Sequence, residues 1–334
     1  MMIKVSFIVI GYNIEHYIEK CINSISKQTL QEIEIVFVDD GSTDQTIHKV
    51  KKMQNKDLRI KIIKQRNKGA NSARKTGLLN ATGKYILFVD GDDWINEKLA
   101  DDLYTLGEKT LVDIISYNYY LAYENKDCIK ITDNKYTNIN SNIYLDLILE
   151  QKIKHSLCNK FIRKTYIDKT NFNDVCETSI AEDLAANVVL GINKPFVLMI
   201  DEAYYYYYQR GNSTMNKSSN KLLKLEKTLN YIQHVLEKNN LLENYCKQLE
   251  FLWFIHCYLA RVFGSKIKVD NIHKKMYESW KQKNIDINNN PYCKEYMKNM
   301  TKYRKFIKYS FDVNYKLGVI LLKCEHKLRG IKYN

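Results

Sequence analysis

Three carboxylates stand close together in the segment LFVDGDDW, residues 87–94, directly after a run of apolar residues. They are Asp90, Asp92 and Asp93, and three acids on one short loop repel each other unless a positive charge lies among them. A divalent cation held by carboxylate oxygens is the usual solution. Since a plain turn needs a single Asp or Gly, the segment indicates a cation site.

Two further acidic pairs occur in the chain, Asp39 and Asp40 in VFVDDGS and Glu182 and Asp183 in AEDL. Each has an ordinary structural interpretation, because acids after a strand cap turns and acids in the first turn of a helix complement its dipole. VFVDD is also compatible with the acidic pocket of a phosphoacceptor receiver domain, although a receiver is much shorter and gives no reason for the DGDD loop. A carboxylate near a hydroxyl could instead act as a general base.

The elements that would position these acids are four apolar, β-rich runs at residues 5–10, 33–38, 60–64 and 85–89. Segments with helical periodicity separate them, which is the pattern of a parallel sheet with crossover helices. Parallel strands joined by right-handed crossovers have their carboxyl ends on one edge, and α/β sheets bind ligands there. We therefore expect the acids that follow the second and fourth runs to meet in one crevice.

The pattern changes after residue 113 to a predicted β-hairpin, two helical segments near 142–151 and 180–190, and a strand pair ending in YYYYYQRGNSTM. About half of the tyrosine run should pack against the sheet, because side chains alternate along a strand. From residue 218 onward Lys, Leu and Tyr recur with helical periodicity, which predicts an all-helical region.

Composition favours a folded protein of the cytoplasm. The chain has 334 residues, 45% of them hydrophobic, and its eight cysteines include no CxxC pair, which indicates reduced thiols. The apolar run near the start is shorter than the core of a signal peptide, and no run approaches the length of a spanning helix. We expect a cytoplasmic protein, either free or peripheral at the inner face of the cell membrane.

The net charge of +14 is concentrated at one end, where residues 301–334 contain nine Lys or Arg against Asp312 and Glu325. Lysine-rich helices are often simply solvated faces. The alternative is an amphipathic helix on anionic lipid. Its apolar residues would be Phe311, Tyr315, Leu317, Val319, Ile320, Leu321 and Leu322.

The segments VSFIVIGYN, IEIVFVDDGSTDQT and NKGANSARKTGLLNATGKYILFVDGDDW, followed by NKFIRK, AEDLAAN and YYYYYQRGNSTM, resemble the family 2 glycosyltransferases of GT-A fold. The resemblance implies an α/β fold with a Rossmann-like mixed, largely parallel sheet flanked by helices. Residues 1–217 would form the GT-A domain, with a nucleotide-sugar-binding half at 1–113 and an acceptor half at 114–217. A helical C-terminal region with a basic amphipathic end would follow at 218–334.

The resemblance also implies roles for individual residues. Asp92, together with Asp90, would hold Mg²⁺ or Mn²⁺, and Asp183 would be the catalytic base, with Glu182 as the second candidate. Tyr12 would stack on the nucleotide base. The residues expected to bind the nucleotide sugar are Ile10, Tyr12, Asp40, Asn67, Arg74, Asp90, Gly91 and Arg210. Asp40 would accept from the base edge, and Arg74 could instead tie the acidic loop down.

The implied function is that of an inverting hexosyl- or N-acetylhexosaminyltransferase in surface or capsular polysaccharide synthesis. The donor would be a nucleotide sugar, expected to be a UDP-sugar, and the acceptor a hydroxyl of a glycan or a lipid-linked molecule. A non-catalytic scaffold subunit of the same fold is one alternative, and a metal-dependent nucleic-acid-binding enzyme is another. No nucleic-acid partner is expected, because the chain contains no recognised nucleic-acid module.

Overall fold

The structure is a computed structural model that describes residues 2–132, 138–139, 143–172, 175, 180–209, 223–260, 262 and 269–330. The chain divides into two compact units, Met1–Lys217 and Ser218–Asn334. Arg210 lies outside the described residues, so its predicted role in nucleotide-sugar binding stays a prediction.

The described part of the first unit contains strands and helices in alternation. The strands are β1 (Val5–Gly11), β2 (Ile33–Asp39), β3 (Ile60–Lys64), β4 (Tyr85–Asp90), β5 (Trp94–Ile95), β6 (Ile114–Ala122), β7 (Ile129–Ile131), β8 (Asn138–Ile139), β9 (Lys160–Arg163) and β10 (Val197–Tyr208). The helices are α1 (Ile18–Ser26), α2 (Thr46–Gln54), α3 (Ala70–Asn80), α4 (Leu99–Thr110), α5 (Tyr144–Leu149), α6 (Lys164–Ile167) and α7 (Glu182–Ile192).

All ten of these strands belong to one sheet, with the order β3-β2-β1-β4-β9-β6-β10-β5, β7 beside β6 and β8 beside β10. The strands β1 to β4 are mutually parallel, whereas β9 is antiparallel to both β4 and β6. At the far end β10 runs parallel to β6 and antiparallel to β5. The predicted mixed, largely parallel sheet flanked by helices is confirmed.

Helices cover both faces of the sheet at β1, β2 and β4, which explains why these strands are mostly apolar on both faces. Phe7 and Val9 of β1 share a buried cluster with Ile22 of α1. Val38 of β2 belongs to a separate cluster with Ala73 of α3. Because side chains alternate along a strand, α1 and α3 lie on opposite faces of the sheet.

Two local predictions need correction. The segment ending in the tyrosine run is one strand, β10, whose pairing with β6 shifts register on either side of Ala203 instead of breaking into a strand pair. Ser42 and Gln45 have the spacing of a capping box, which predicts a helix directly after β2, but α2 begins later, at Thr46. The Ser42 N–H donates to the Asp39 carboxylate in a turn, and Asp44 accepts from the first helical N–H instead.

A buried carboxylate ties the strands together at their amino ends. Glu34 of β2 accepts hydrogen bonds from Ser6 Oγ at 2.6 Å, from the Thr82 N–H at 2.6 Å and from Lys61 Nζ at 2.5 Å. Burial alone raises the pKa of Glu34, but these hydrogen bonds outweigh burial and hold the pKa below its ordinary value. The carboxylate is therefore stabilised in its ionised form inside the sheet.

The second unit is helical in its described part. Its helices are α8 (Leu223–Lys238), α9 (Leu242–Trp253), α10 (Asn271–Gln282), α11 (Pro291–Lys298), α12 (Lys302–Val313) and α13 (Tyr315–Leu328), with a π-helical turn at Phe254–Leu259. Side-chain caps fix where the last four helices begin, at Asp270, Asn290, Thr301 and Asn314. The rings of Tyr258 and Trp280 stack at 4.7 Å in the core.

The amphipathic helix predicted near the end of the chain is two helices, because the backbone of Asn314 is extended between α12 and α13. Phe311 and Leu322, assigned to its lipid-facing side, are fully buried in the unit. Of the described helices, none combines the length and the apolar character needed to cross a bilayer.

The Glu34 network generates a pH-dependent prediction. We expect Glu34→Gln to lower the free energy of unfolding at pH 7 by about 1–3 kcal/mol, because the donors lose a charged acceptor. A lowered folded-state pKa stabilises the native state above the unfolded-state value, and this is lost as the pH falls through the folded-state pKa. Urea unfolding at pH 7 and pH 3 should show the difference between variant and wild type closing in acid. An equal difference at both pH values would contradict the network.

Candidate active site

The acids that follow β2 and β4 meet at one edge of the sheet. Gly11 at the end of β1 pairs with Asp39, and Ile10 pairs with Asp90. The Gly91 N–H donates to the Ile10 carbonyl at 2.9 Å, and a β carbon at Gly91 would lie 2.8 Å from the same oxygen. A glycine is therefore required where the acidic loop leaves the sheet.

The loops after β1 and β2 are held together by side chains. The Asn13 N–H donates to Ser42 Oγ at 3.0 Å, and the Thr43 N–H donates to Asn13 Oδ1 at 2.9 Å. Asn13 has a φ of 51°, a left-handed conformation that Asn tolerates better than most residues. This turn places the exposed ring of Tyr12 at the rim of the crevice.

Asp40 shapes the next wall of the crevice. Its Oδ1 accepts from Gln65 Nε2 at 2.7 Å and from the Lys68 N–H at 2.9 Å, while its Oδ2 accepts from the Gly69 N–H at 2.8 Å. The buried carboxylate thereby organises the segment that carries the exposed Asn67. The predicted hydrogen bond from a nucleotide base to Asp40 stays a prediction.

A buried arginine joins the acidic loop to the other side of the crevice. Arg74 of α3 is 4% exposed, and its Nη2 donates to Asp90 Oδ1 at 3.0 Å while its Nη1 donates to Asp183 Oδ1 at 3.1 Å. Asp183 lies in the first turn of α7, 109 residues further along the chain. Burial alone would lower the pKa of Arg74, but Asp183 and Asp90 raise it. The guanidinium therefore stays charged and bridges the two acids.

The first turn of α7 carries both candidate bases. The other carboxylate oxygen of Asp183 accepts from the Leu157 N–H at 3.3 Å, so two donors orient this side chain. Burial raises the pKa of Glu182, its neighbour Asp183 raises it further, and Arg74 lowers it in part. Of the two acids, Asp183 is the one in direct contact with the bridge to the acidic loop.

Strand β10 braces the acidic loop from a second direction. Tyr205 Oη donates to Asp93 Oδ2 at 2.5 Å and accepts from the Asp90 N–H at 3.1 Å. The Tyr208 N–H donates to Asp93 Oδ1 at 2.8 Å. Burial raises the pKa of Asp93, and the charges of Asp92 and Asp90 raise it further.

These contacts limit the part that Asp93 and Asp90 could take in holding a cation. Both oxygens of Asp93 accept protein hydrogen bonds, and Asp90 Oδ1 accepts from Arg74. Within the described ranges, no group of three or more Asp, Glu, His or Cys side chains is arranged to hold a metal ion. Mg²⁺ in phosphate sites is commonly held by one or two carboxylates together with substrate phosphates. Asp92 and the second oxygen of Asp90 fit that donor set.

A cavity of about 720 Å³ lies beside the acidic loop, between α1 and β5. Its wall includes Trp94 and Tyr206, whose rings stack at 5.5 Å as a cross-strand pair. Lys20 Nζ lies 2.9 Å from the centroid of the Trp94 ring. The volume falls within the range of small-molecule sites.

The sequence did not lead us to predict the hydrogen bond from the Tyr205 hydroxyl to Asp93, because we assigned the buried side chains of the tyrosine run to packing against the sheet. The available signal was that Tyr205 would lie on a buried face, where a phenol needs a hydrogen-bond partner. No local pattern indicates the Leu157 N–H as a partner of Asp183, because that contact depends on how distant segments pack.

The brace on the acidic loop can be tested with two neighbouring tyrosines. Tyr205→Phe should lower the free energy of unfolding by about 1–3 kcal/mol, because it leaves buried Asp93 short of a donor. The matched control is Tyr204→Phe, which removes a hydroxyl bonded to Asp102 at an exposed site and should cost less than about 0.5 kcal/mol. Urea unfolding measures both, and equal losses would contradict the brace.

Comparison with known proteins places these motifs in a family. The sequence model of glycosyl transferase family 2 matches residues 6–173, about half of the chain. Glycosyltransferase GlyA of Streptococcus pneumoniae is 44% identical over 123 residues, which cover 37% of this chain and 18% of GlyA. The uncharacterised glycosyltransferase EpsJ of Bacillus subtilis is 31% identical over 226 residues, covering 64% of this chain and 63% of EpsJ. The chain thus spans less than two thirds of the length of either relative.

The architecture has a close counterpart among solved structures. A crystal structure of part of Staphylococcus aureus TarS, in complex with UDP-GlcNAc, superposes with a TM-score of 0.66. The match covers 99% of this chain and 93% of that one at 23% sequence identity. At this identity the likeness shows the fold, and it confirms the predicted GT-A architecture with its helical C-terminal region. From the sequence match over half its length, this chain belongs to glycosyl transferase family 2.

Proposed function

We propose that the chain is an inverting glycosyltransferase of the cytoplasm, which moves a hexosyl or N-acetylhexosaminyl group from a UDP-sugar to a hydroxyl in polysaccharide synthesis. The observation that carries the proposal is the Arg74 bridge, which holds Asp90 and Asp183 on one guanidinium. A loop suited to a diphosphate and a carboxylate suited to a base therefore lie in one site.

The donor side is built from the edge of β1, β2 and β4. Tyr12 is exposed at the rim and would stack on the nucleotide base, with Asp40 and Asn67 on the neighbouring wall. A UDP-sugar is favoured because a structure of the same fold, that of TarS, contains UDP-GlcNAc. The sugar would lie beside Asp90, where the acidic loop faces Arg74.

A divalent cation would complete the donor site, held by Asp92 and by the Asp90 oxygen that Arg74 does not use. When bound, Mg²⁺ or Mn²⁺ would neutralise the diphosphate as its bond to the sugar breaks. Oxygen donors suit both ions. The protein's own part is to keep Asp92 near that cation while Tyr205 and Arg74 hold the rest of the loop.

Asp183 would act as the general base. The acceptor hydroxyl attacks the anomeric carbon from the face opposite the diphosphate, its proton passes to the Asp183 carboxylate, and the electron pair of the old bond leaves with the diphosphate. Arg74 and the Leu157 N–H orient the carboxylate for this transfer. The acceptor would be a glycan or a lipid-linked molecule.

The donor proposal predicts metal-dependent nucleotide binding. UDP at saturating concentration should raise the Tm of the wild type with Mn²⁺ present and much less without it, because a ligand that binds the native state stabilises it by mass action. Asp92→Asn should remove most of the Mn²⁺-dependent shift while keeping the Tm of the free protein. A panel of nucleoside diphosphates measures this by thermal denaturation. No shift with any nucleotide would instead favour a non-catalytic scaffold.

The base proposal separates two adjacent acids. Asp183→Asn should lower kcat by about 100-fold or more, the usual range for loss of a general base, with UDP binding retained. Glu182→Gln should lower kcat by less than about tenfold, because the ion pairs of Arg74 with described residues are to Asp90 and Asp183 and not to Glu182. Transfer assays with a UDP-sugar and isothermal titration with UDP measure the two effects. The opposite order of losses would move the base to Glu182.

A further inference from the structure

Helices α12 and α13 of the second unit form an antiparallel hairpin. Arg304 of α12 and Glu325 of α13 pair at 3.3 Å, so the far ends of the two helices lie together. Near the turn Gly318 packs against the ring of Phe311, which a β carbon at that position would overlap. The chain reverses at Asn314, whose side chain caps α13.

The turn of this hairpin exposes a cluster of apolar side chains, which we name the hairpin corner. It consists of Tyr309 and Val313 on α12 and of Leu317 and Ile320 on α13, which are 65%, 59%, 44% and 58% exposed. All four lie within about two helical turns of Asn314, and in each helix the two residues are four or three positions apart, which places them on one side of that helix. Clustered large apolar side chains at a surface indicate an interaction site.

Basic side chains extend from the hairpin corner toward the far ends of both helices. Those that are exposed and form no ion pair with a described carboxylate are Lys302, Lys305, Lys316, Lys323 and Lys327. On α13 the three lysines recur at intervals of seven and four residues, which places them along one side of the helix. The surface is apolar at the corner and positively charged beside it.

We propose that the hairpin corner docks this protein on the surface of an anionic lipid bilayer. Apolar and aromatic side chains would enter the interface between headgroups and acyl chains, and the lysines would bind the anionic headgroups. A second copy of the chain is a poorer partner, because a symmetric contact would place the same lysines against each other. The proposal goes beyond sugar transfer and does not depend on the donor site.

The residues differ in part from those that the sequence suggested, which included Leu317 and Ile320 but not Tyr309 or Val313. Phe311 and Leu322 hold the hairpin together from inside, and Tyr309 and Val313 on the preceding helix supply half of the corner. The surface is therefore the turn between two helices, and its removal by truncation would also expose the core around Phe311. Point substitutions at exposed positions are the appropriate test.

The experiment is flotation of the full chain with vesicles of phosphatidylglycerol and phosphatidylcholine, compared with vesicles of phosphatidylcholine alone. We expect binding to the anionic vesicles and a loss of about tenfold or more in the partition coefficient for Val313→Ser/Leu317→Ser. Lys316→Ser/Lys323→Ser should give a loss of similar size that disappears at high salt, since salt screens the attraction.

Matched controls remove exposed apolar and basic side chains from the first unit. Leu58→Ser/Leu79→Ser removes two exposed leucines of the first unit, and Lys51→Ser/Lys56→Ser removes two exposed lysines there. Both controls should float like the wild type, and all variants should keep the Tm of the wild type.

Three results would overturn the proposal. The first is that the corner variants bind anionic vesicles as well as the wild type does. The second is that the wild type binds equally well to vesicles without phosphatidylglycerol. The third is that the wild type sediments as a dimer and the corner variants sediment as monomers. The UDP-induced shift in Tm is measured on the same samples. If the wild type shows no UDP-induced shift but binds anionic vesicles, the proposed transfer activity is refuted and the proposed lipid-binding surface is not.

Discussion

One buried guanidinium sets the constraint on which the rest of the site depends. A charge as deeply buried as that of Arg74 is costly unless carboxylates and hydrogen bonds compensate it. Its two acids come from β4 and α7, which are far apart in the chain. Both contacts form together only if α3, β4 and α7 are packed in one arrangement. Compensation of the buried charge therefore depends on the packing of these three elements.

The sheet provides that arrangement, and β10 completes it. Parallel β2 and β4 bring their acidic ends to one edge beside the end of β1, and the phenol of Tyr205 holds the acidic loop from the far end of the same sheet. Arg74 holds Asp90 from one side of the loop, and the Tyr205 hydroxyl holds Asp93 from the other. The loop is thereby held in place by the protein itself, which is the preorganisation that the proposed transfer needs.

Local pattern predicted much of this structure. The four parallel strands lie within about one residue of their predicted bounds, because apolar periodicity and turn residues are local signals. The meeting of the acids that follow β2 and β4 was predicted because the carboxyl ends of parallel strands lie on one edge of a sheet. The partners of Asp40, the Tyr205 hydroxyl on Asp93 and the extended residue at Asn314 depend on distant packing or on one backbone conformation, and no short pattern in the sequence indicates them.

The most direct test of the account is the coupling free energy between Arg74 and Asp183. Urea unfolding of the wild type, Arg74→Met, Asp183→Asn and the double variant gives this quantity as a double-mutant cycle. Because the Asp183 side chain is 27% exposed, we expect a coupling of about 1–3 kcal/mol, below that of a fully buried pair. Additive losses, with a coupling under about 0.3 kcal/mol, would show that Arg74 does not hold the two sides of the site together.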